Sequence, residues 1–69
     1  MKLYFENSRG DRRVIAEPAT EEEASKEIYK FCEDRNFKIY YVRNWTTPNG
    51  EKVYDVGSWS EFFYLVNES

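Results

Sequence analysis

Very few residues in this chain have side chains suited to catalysis or metal binding. There is no histidine and one cysteine, Cys32. Zinc sites are built mainly from those two residue types, so the composition points to no metal and no cofactor. Gly10, Gly50 and Gly57 stand apart from one another, each beside turn residues, and no glycine-rich phosphate loop is spelled. Asp55 and Glu61 are the one carboxylate pair worth weighing for acid–base work, and they read more simply as charges at a hairpin edge. Cys32 falls on the apolar stripe of a helix, where a thiol serves as a small buried hydrophobe. The residue types therefore predict a protein that is not an enzyme.

Two groups are suited to binding instead. Arg12 and Arg13, with Arg9 close by and Arg43 expected on a neighbouring strand, form a basic cluster that would either blunt a sheet edge or meet carboxylates or single-stranded nucleic acid. Arg9-Gly10-Asp11 spells an adhesion tripeptide, but Gly and Asp are what a hairpin turn needs, and the turn reading is preferred. The second group is aromatic: five Phe, six Tyr and two Trp make up 19% of the chain. Tyrosine suits a surface that is wet when free and buried when bound.

These rings must be carried by a small scaffold. Sixty-nine residues permit one domain. A hydrophobic share of 41% with 33% charged residues is a globular composition. The net charge of −3 argues against a duplex nucleic-acid binder and against anionic membranes. A lone cysteine cannot form an internal disulfide, and Met1 to Gly10 lacks the apolar segment of a signal peptide. With no stretch approaching a membrane span, a cytoplasmic location is expected.

Lys2 to Asn7 alternates as a strand, Ser8 to Asp11 supplies a turn, and Val14-Ile15-Ala16 begins the return, ended by Pro18. Thr20-Glu21-Glu22-Glu23 is a capping box opening a helix over 21–35. Its buried stripe is Ala24, Ile28, Phe31, Cys32 and Arg35, and Asn36 is placed as a left-handed cap with Phe37 folding back. Phe37 to Trp45 is expected as the central strand, and Thr46 to Gly50 as a turn in which Asn49-Gly50 suits left-handed angles. Lys52 to Val56 is the returning strand and Gly57 to Ser60 a tight turn. Glu61 to Val66 is a last strand, preferred to a short helix that Ser58-Trp59-Ser60-Glu61 could cap.

The fold class is α+β, an antiparallel sheet with one helix on one face, in the order ββαβββ. If Leu3, Phe5, Ile15, Ile39, Phe63 and Leu65 face the helix, alternation turns Tyr4, Val14, Tyr40, Val42, Tyr54, Val56, Phe62 and Tyr64 to the other face. The expected partner-binding residues are Tyr4, Arg12, Tyr40, Tyr54 and Tyr64.

The segment Tyr54-Asp55-Val56-Gly57-Ser58-Trp59-Ser60-Glu61-Phe62-Phe63 resembles the ending of small uncharacterised phage- and prophage-encoded proteins of similar length. Such proteins have an N-terminal hairpin and an acidic-capped helix before an aromatic hairpin. The resemblance implies a mobile-element origin and a modulator that binds a host protein.

The sequence reading is a non-catalytic protein-interaction module that docks through the tyrosine face, or pairs there weakly with a second copy. Arg12 and Lys52 are expected to share that face and to oppose pairing unless Glu6 of the partner offsets them. The alternative is a single-stranded nucleic-acid sheet in which Tyr40, Tyr54 and Tyr64 stack bases beside Arg12 and Arg43.

Overall fold

The computed structural model describes residues 1–40, 42–57 and 60–67. Among these residues five strands and one helix follow in the expected order: β1 (Lys2–Glu6), β2 (Arg12–Ala16), α1 (Glu21–Asp34), β3 (Arg43–Thr46), β4 (Lys52–Asp55) and β5 (Phe62–Val66). All strand pairs are antiparallel, and the sheet order is β2-β1-β5-β4-β3. The C-terminal segment is thus a strand, and it holds the centre of the sheet between β1 and β4.

That place was expected for 37–45, and the difference has a physical cause. The chain leaves α1 on the helix side of the sheet and must cross to reach an edge. Phe37 and Ile39 pack against the core on the way, and Tyr40 N–H meets Val56 O at 3.1 Å. Regular pairing begins only at Arg43, so β3 is a four-residue edge strand with every residue exposed. Of the expected Gly57 to Ser60 turn, Gly57 lies in the left-handed region (φ 93°), and Ser58 and Trp59 lie outside the described residues.

Two hairpin turns share one construction. In each, a glycine N–H donates to the carbonyl three residues back, Gly10 to Asn7 (3.0 Å) and Gly50 to Thr47 (2.9 Å). The glycines have φ of 87° and 84°, where a side chain would be strained. Asn49 does not share the left-handed region, since Asn36 is the one non-glycine residue found there among those described. The turn-opening side chain completes each loop: Asn7 Oδ1 accepts from the Arg9 and Asp11 amides, and Thr47 Oγ1 from the Glu51 amide.

Both ends of α1 are closed. Thr20 Oγ1 accepts from the Glu23 amide at 3.2 Å, while the Glu23 carboxylate returns one residue further out than expected, to the Ala19 amide at 2.8 Å. At the C-terminus Asn36 (φ 57°) donates to Glu33 O and Phe37 to Cys32 O, the paired bonds of a Schellman motif. The apolar stripe of α1 then lies on the sheet. Ala24, Ile28 and Cys32 are buried against Leu3, Phe5, Tyr54, Val56, Phe63 and Leu65. Phe5, Phe31, Phe37 and Phe63 form a ring cluster at one end, with centroids 4.7 to 6.1 Å apart. Arg35 is exposed rather than part of the buried stripe, and its guanidinium rests 4.7 Å above the Phe31 ring.

Candidate functional site: the helix-free face of the sheet

The face opposite α1 is set by strand register. Tyr4 lies beside Val14 on β2 and Tyr64 on β5; Tyr64 lies beside Val53, and Val53 beside Trp45. Directly opposed residues share a face, so Val14, Tyr4, Tyr64, Val53 and Trp45 form one apolar row crossing all five strands. Its ends are the open parts, Val14 at 45% and Trp45 at 42% exposure, while Val53 in the middle is buried.

Beside this row runs a polar one. Arg12 stands opposite Glu6, and Glu6 opposite Phe62. Arg12 reaches inward from edge strand β2: Nε donates to Glu6 at 3.0 Å and Nη1 to Glu51, at the head of β4, at 3.1 Å. Its guanidinium carbon lies 3.7 Å above the centre of the Tyr64 ring, and Tyr64 Oη donates to Glu6 at 3.2 Å. Arg12 is thus a strap laid across the ring and pinned at two carboxylates. Burial, followed by the neighbouring Glu6 carboxylate, raises the Tyr64 hydroxyl above its ordinary range despite Arg12, so it remains a neutral donor at neutral pH.

At the far edge Arg43 Nη2 donates to Asp55 at 2.8 Å, and the Gly57 amide donates to the other oxygen of Asp55 at 2.9 Å. Asp55 is buried, not a solvated hairpin-edge charge, and both its oxygens are committed. Glu61 accepts from the Ser60 hydroxyl at 3.3 Å.

The five expected site residues divide. Tyr4, Arg12 and Tyr64 come together on the open face, as alternation predicts. Tyr54 does not: its register opposite Phe63 turns it towards α1, where it is 2% exposed, and Val56 goes with it. Burial raises the Tyr54 hydroxyl above its usual value, against the opposing pull of the Lys52 ammonium, which lies 5.7 Å from the ring centre. Tyr40 precedes β3 and is exposed at 67%, with the Lys38 ammonium 5.0 Å above its ring. Val42 is likewise outside the strand.

The charges also differ from expectation. Lys52 is on the helix side, paired with Glu21 at 2.7 Å. Arg12 is offset by Glu6 and Glu51 of its own chain. Arg43 is four strands away from Arg12, roughly 19 Å at the usual strand spacing, so no four-arginine patch is assembled. The sequence reading missed Trp45, Val53 and Glu51 as members of this face. The signal was the parity of 51, 53 and 55 against 52, 54 and 56, but both sets contain apolar residues.

Cys32 is buried against the sheet, and burial pushes its thiol above the ordinary value, the chemistry of a packed side chain. Among the described residues no cluster of three or more Cys, Asp or Glu is arranged to hold a metal ion, and no helix is long and apolar enough to cross a membrane. Comparisons of the chain with family models, curated proteins and solved structures give no match.

Proposed function

We propose that this protein is a non-catalytic interaction module whose helix-free sheet face docks on another protein, and that it acts as a phage- or prophage-derived modulator of a host factor. The observation that carries this reading is the five-residue apolar row, Val14-Tyr4-Tyr64-Val53-Trp45, on the face that α1 leaves uncovered. Its centre is held rigid by Arg12, so little side-chain freedom would be lost on docking. Its ends are exposed apolar groups flanked by polar residues, the pattern of an interface core and rim.

Base stacking is less well served. Tyr54 is inside, Tyr40 is off the sheet, and the face of Tyr64 is already occupied by Arg12. Arg12 is moreover neutralised by two glutamates, which leaves little net charge to release counterions.

The test is affinity capture from the cell that produces the protein, with variants that separate the faces. A partner retained by wild type and by Tyr29→Ala on the exposed side of α1, but lost with Tyr4→Ala and Val14→Asp, supports the reading. Retention by the open-face variants, or loss of the captured material on nuclease treatment, overturns it.

A further inference from the structure

The sheet has two edges, and they are unlike. β2 carries adjacent Arg12 and Arg13, and its register against β1 is broken between Leu3 and Tyr4. Neighbouring charges and a bulge are the usual devices that stop an edge from accepting another strand. β3 has neither. Its register against β4 is continuous from Arg43↔Asp55 to Thr46↔Lys52, every residue is exposed, and its single charge is already bonded to Asp55. Exposed Val42 precedes it.

From this difference we infer that β3 pairs edge to edge with β3 of a second copy of the chain, in antiparallel register about a two-fold axis through Asn44. The occupant follows from the sequence of the edge, Val42-Arg43-Asn44-Trp45-Thr46, which is complementary to itself in that register. Asn44 meets Asn44, two amides that can each donate and accept. Arg43 of each copy meets Trp45 of the other, on the same face, and Val42 meets Thr46. No like charges are opposed, and two cation–π pairs form across the seam.

Arg43 is prepared for this role. It is held on one side by buried Asp55 and lies 5.7 Å from its own Trp45 ring, and its side chain is 65% exposed. An isologous pairing of this kind repeats each contact and leaves β2 as both outer edges. The product is a ten-strand sheet with both helices on one face and both apolar rows on the other. The seam involves only five residues per copy, well short of a standard interface of about 1,600 Å², so a weak, concentration-dependent dimer is expected.

The seam shares Trp45 with the apolar row, but Asn44 points to the helix side of β3 and lies off that row, so variants at Asn44 test pairing without altering the docking face. Sedimentation velocity over a hundredfold concentration range reaching about 1 mM reads the equilibrium. Asn44→Asp places two carboxylates opposite each other at the axis while leaving the monomer an exposed polar residue, and should weaken dimerisation at least tenfold. Val14→Asp, on the β2 edge strand, should leave it unchanged. Asn44→Cys should cross-link under mild oxidation, since directly opposed residues have Cα atoms about 4.5–5.5 Å apart, within disulfide range, whereas Cys32 is buried. A monomer throughout the range overturns the inference, as does a dimer insensitive to Asn44→Asp.

Discussion

Tyr54 and Tyr40 are both tyrosines of the aromatic second half of the chain, yet the structure assigns them opposite thermodynamic weights. Tyr54 is 2% exposed within the core beneath α1, and Tyr40 is 67% exposed. Truncating a buried aromatic costs about 3–5 kcal/mol through lost burial and the cavity left behind. A surface substitution away from special backbone geometry stays within about 0.5 kcal/mol. A domain of this length has a total stability of roughly 3–10 kcal/mol at the usual value per residue. Tyr54→Ala should therefore remove a third or more of the stability, and Tyr40→Ala almost none.

Urea melts followed by tryptophan fluorescence and by far-ultraviolet dichroism read the difference. With a slope of about 1 kcal/mol per molar urea for so small a chain, the midpoint of Tyr54→Ala should fall by about 3–5 M or the variant should be unfolded in water. Tyr54→Phe separates packing from the hydroxyl. It keeps the buried ring and loses only the hydroxyl, so it should cost about 1 kcal/mol or less. A Tyr54→Ala protein as stable as wild type would show that β4 sits one residue out of the register described, with Tyr54 and Val56 on the open face.

Further outcomes follow from other elements. Thr20→Ala should cost about 1 kcal/mol in the same melts, because it removes the one side-chain acceptor for the Glu23 amide. Ile28→Ala should cost about 2–5 kcal/mol, and a stable Ile28→Ala protein would mean that α1 docks by another face. Gly50→Ala should cost about 1–2 kcal/mol from its left-handed backbone alone, since no atom lies within 4 Å of the added methyl. Alkaline stability gives a fourth check. Cys32, Tyr54 and Tyr64 all have raised values in the fold, from ordinary values of 9.0, 10.0 and 10.0. The unfolded chain loses these protons first, so stability should hold below about pH 9 and decline above it, and Cys32→Ala should delay the onset of the decline.

Much of the local structure was written in short stretches of residues. The Thr20 cap, the Ala24-Ile28-Cys32 stripe and the Asn36-Phe37 terminus each use bonds between residues at most five positions apart, so the sequence specifies them directly. The same holds for the Gly10 and Gly50 turns, where only glycine meets the backbone angle freely. The placing of Tyr4, Phe62 and Tyr64 away from the helix was legible because β1 and β5 alternate cleanly, with Leu3, Phe5, Phe63 and Leu65 as the buried set.

β4 could not be read that way. Lys-Val-Tyr-Asp-Val offers Val53 on one face and Tyr54 with Val56 on the other, and the structure buries both sets. Periodicity distinguishes faces only when one face is wet. The decision was made by pairing with β5, which sets Tyr54 beside Phe63 under α1 and leaves Val53 between Tyr64 and Trp45. Strand order was decided by pairing across a longer span of the chain, β5 against β1. A short C-terminal strand fills the gap between β1 and β4 because its two faces supply Phe63 and Leu65 to the core and Tyr64 to the row. Local residues determined the elements and their ends. Which side of the sheet each β4 residue occupies depended on its register with β5, and that Arg12 covers Tyr64 depended on groups more than thirty residues apart in sequence; only the folded sheet brings either pair together.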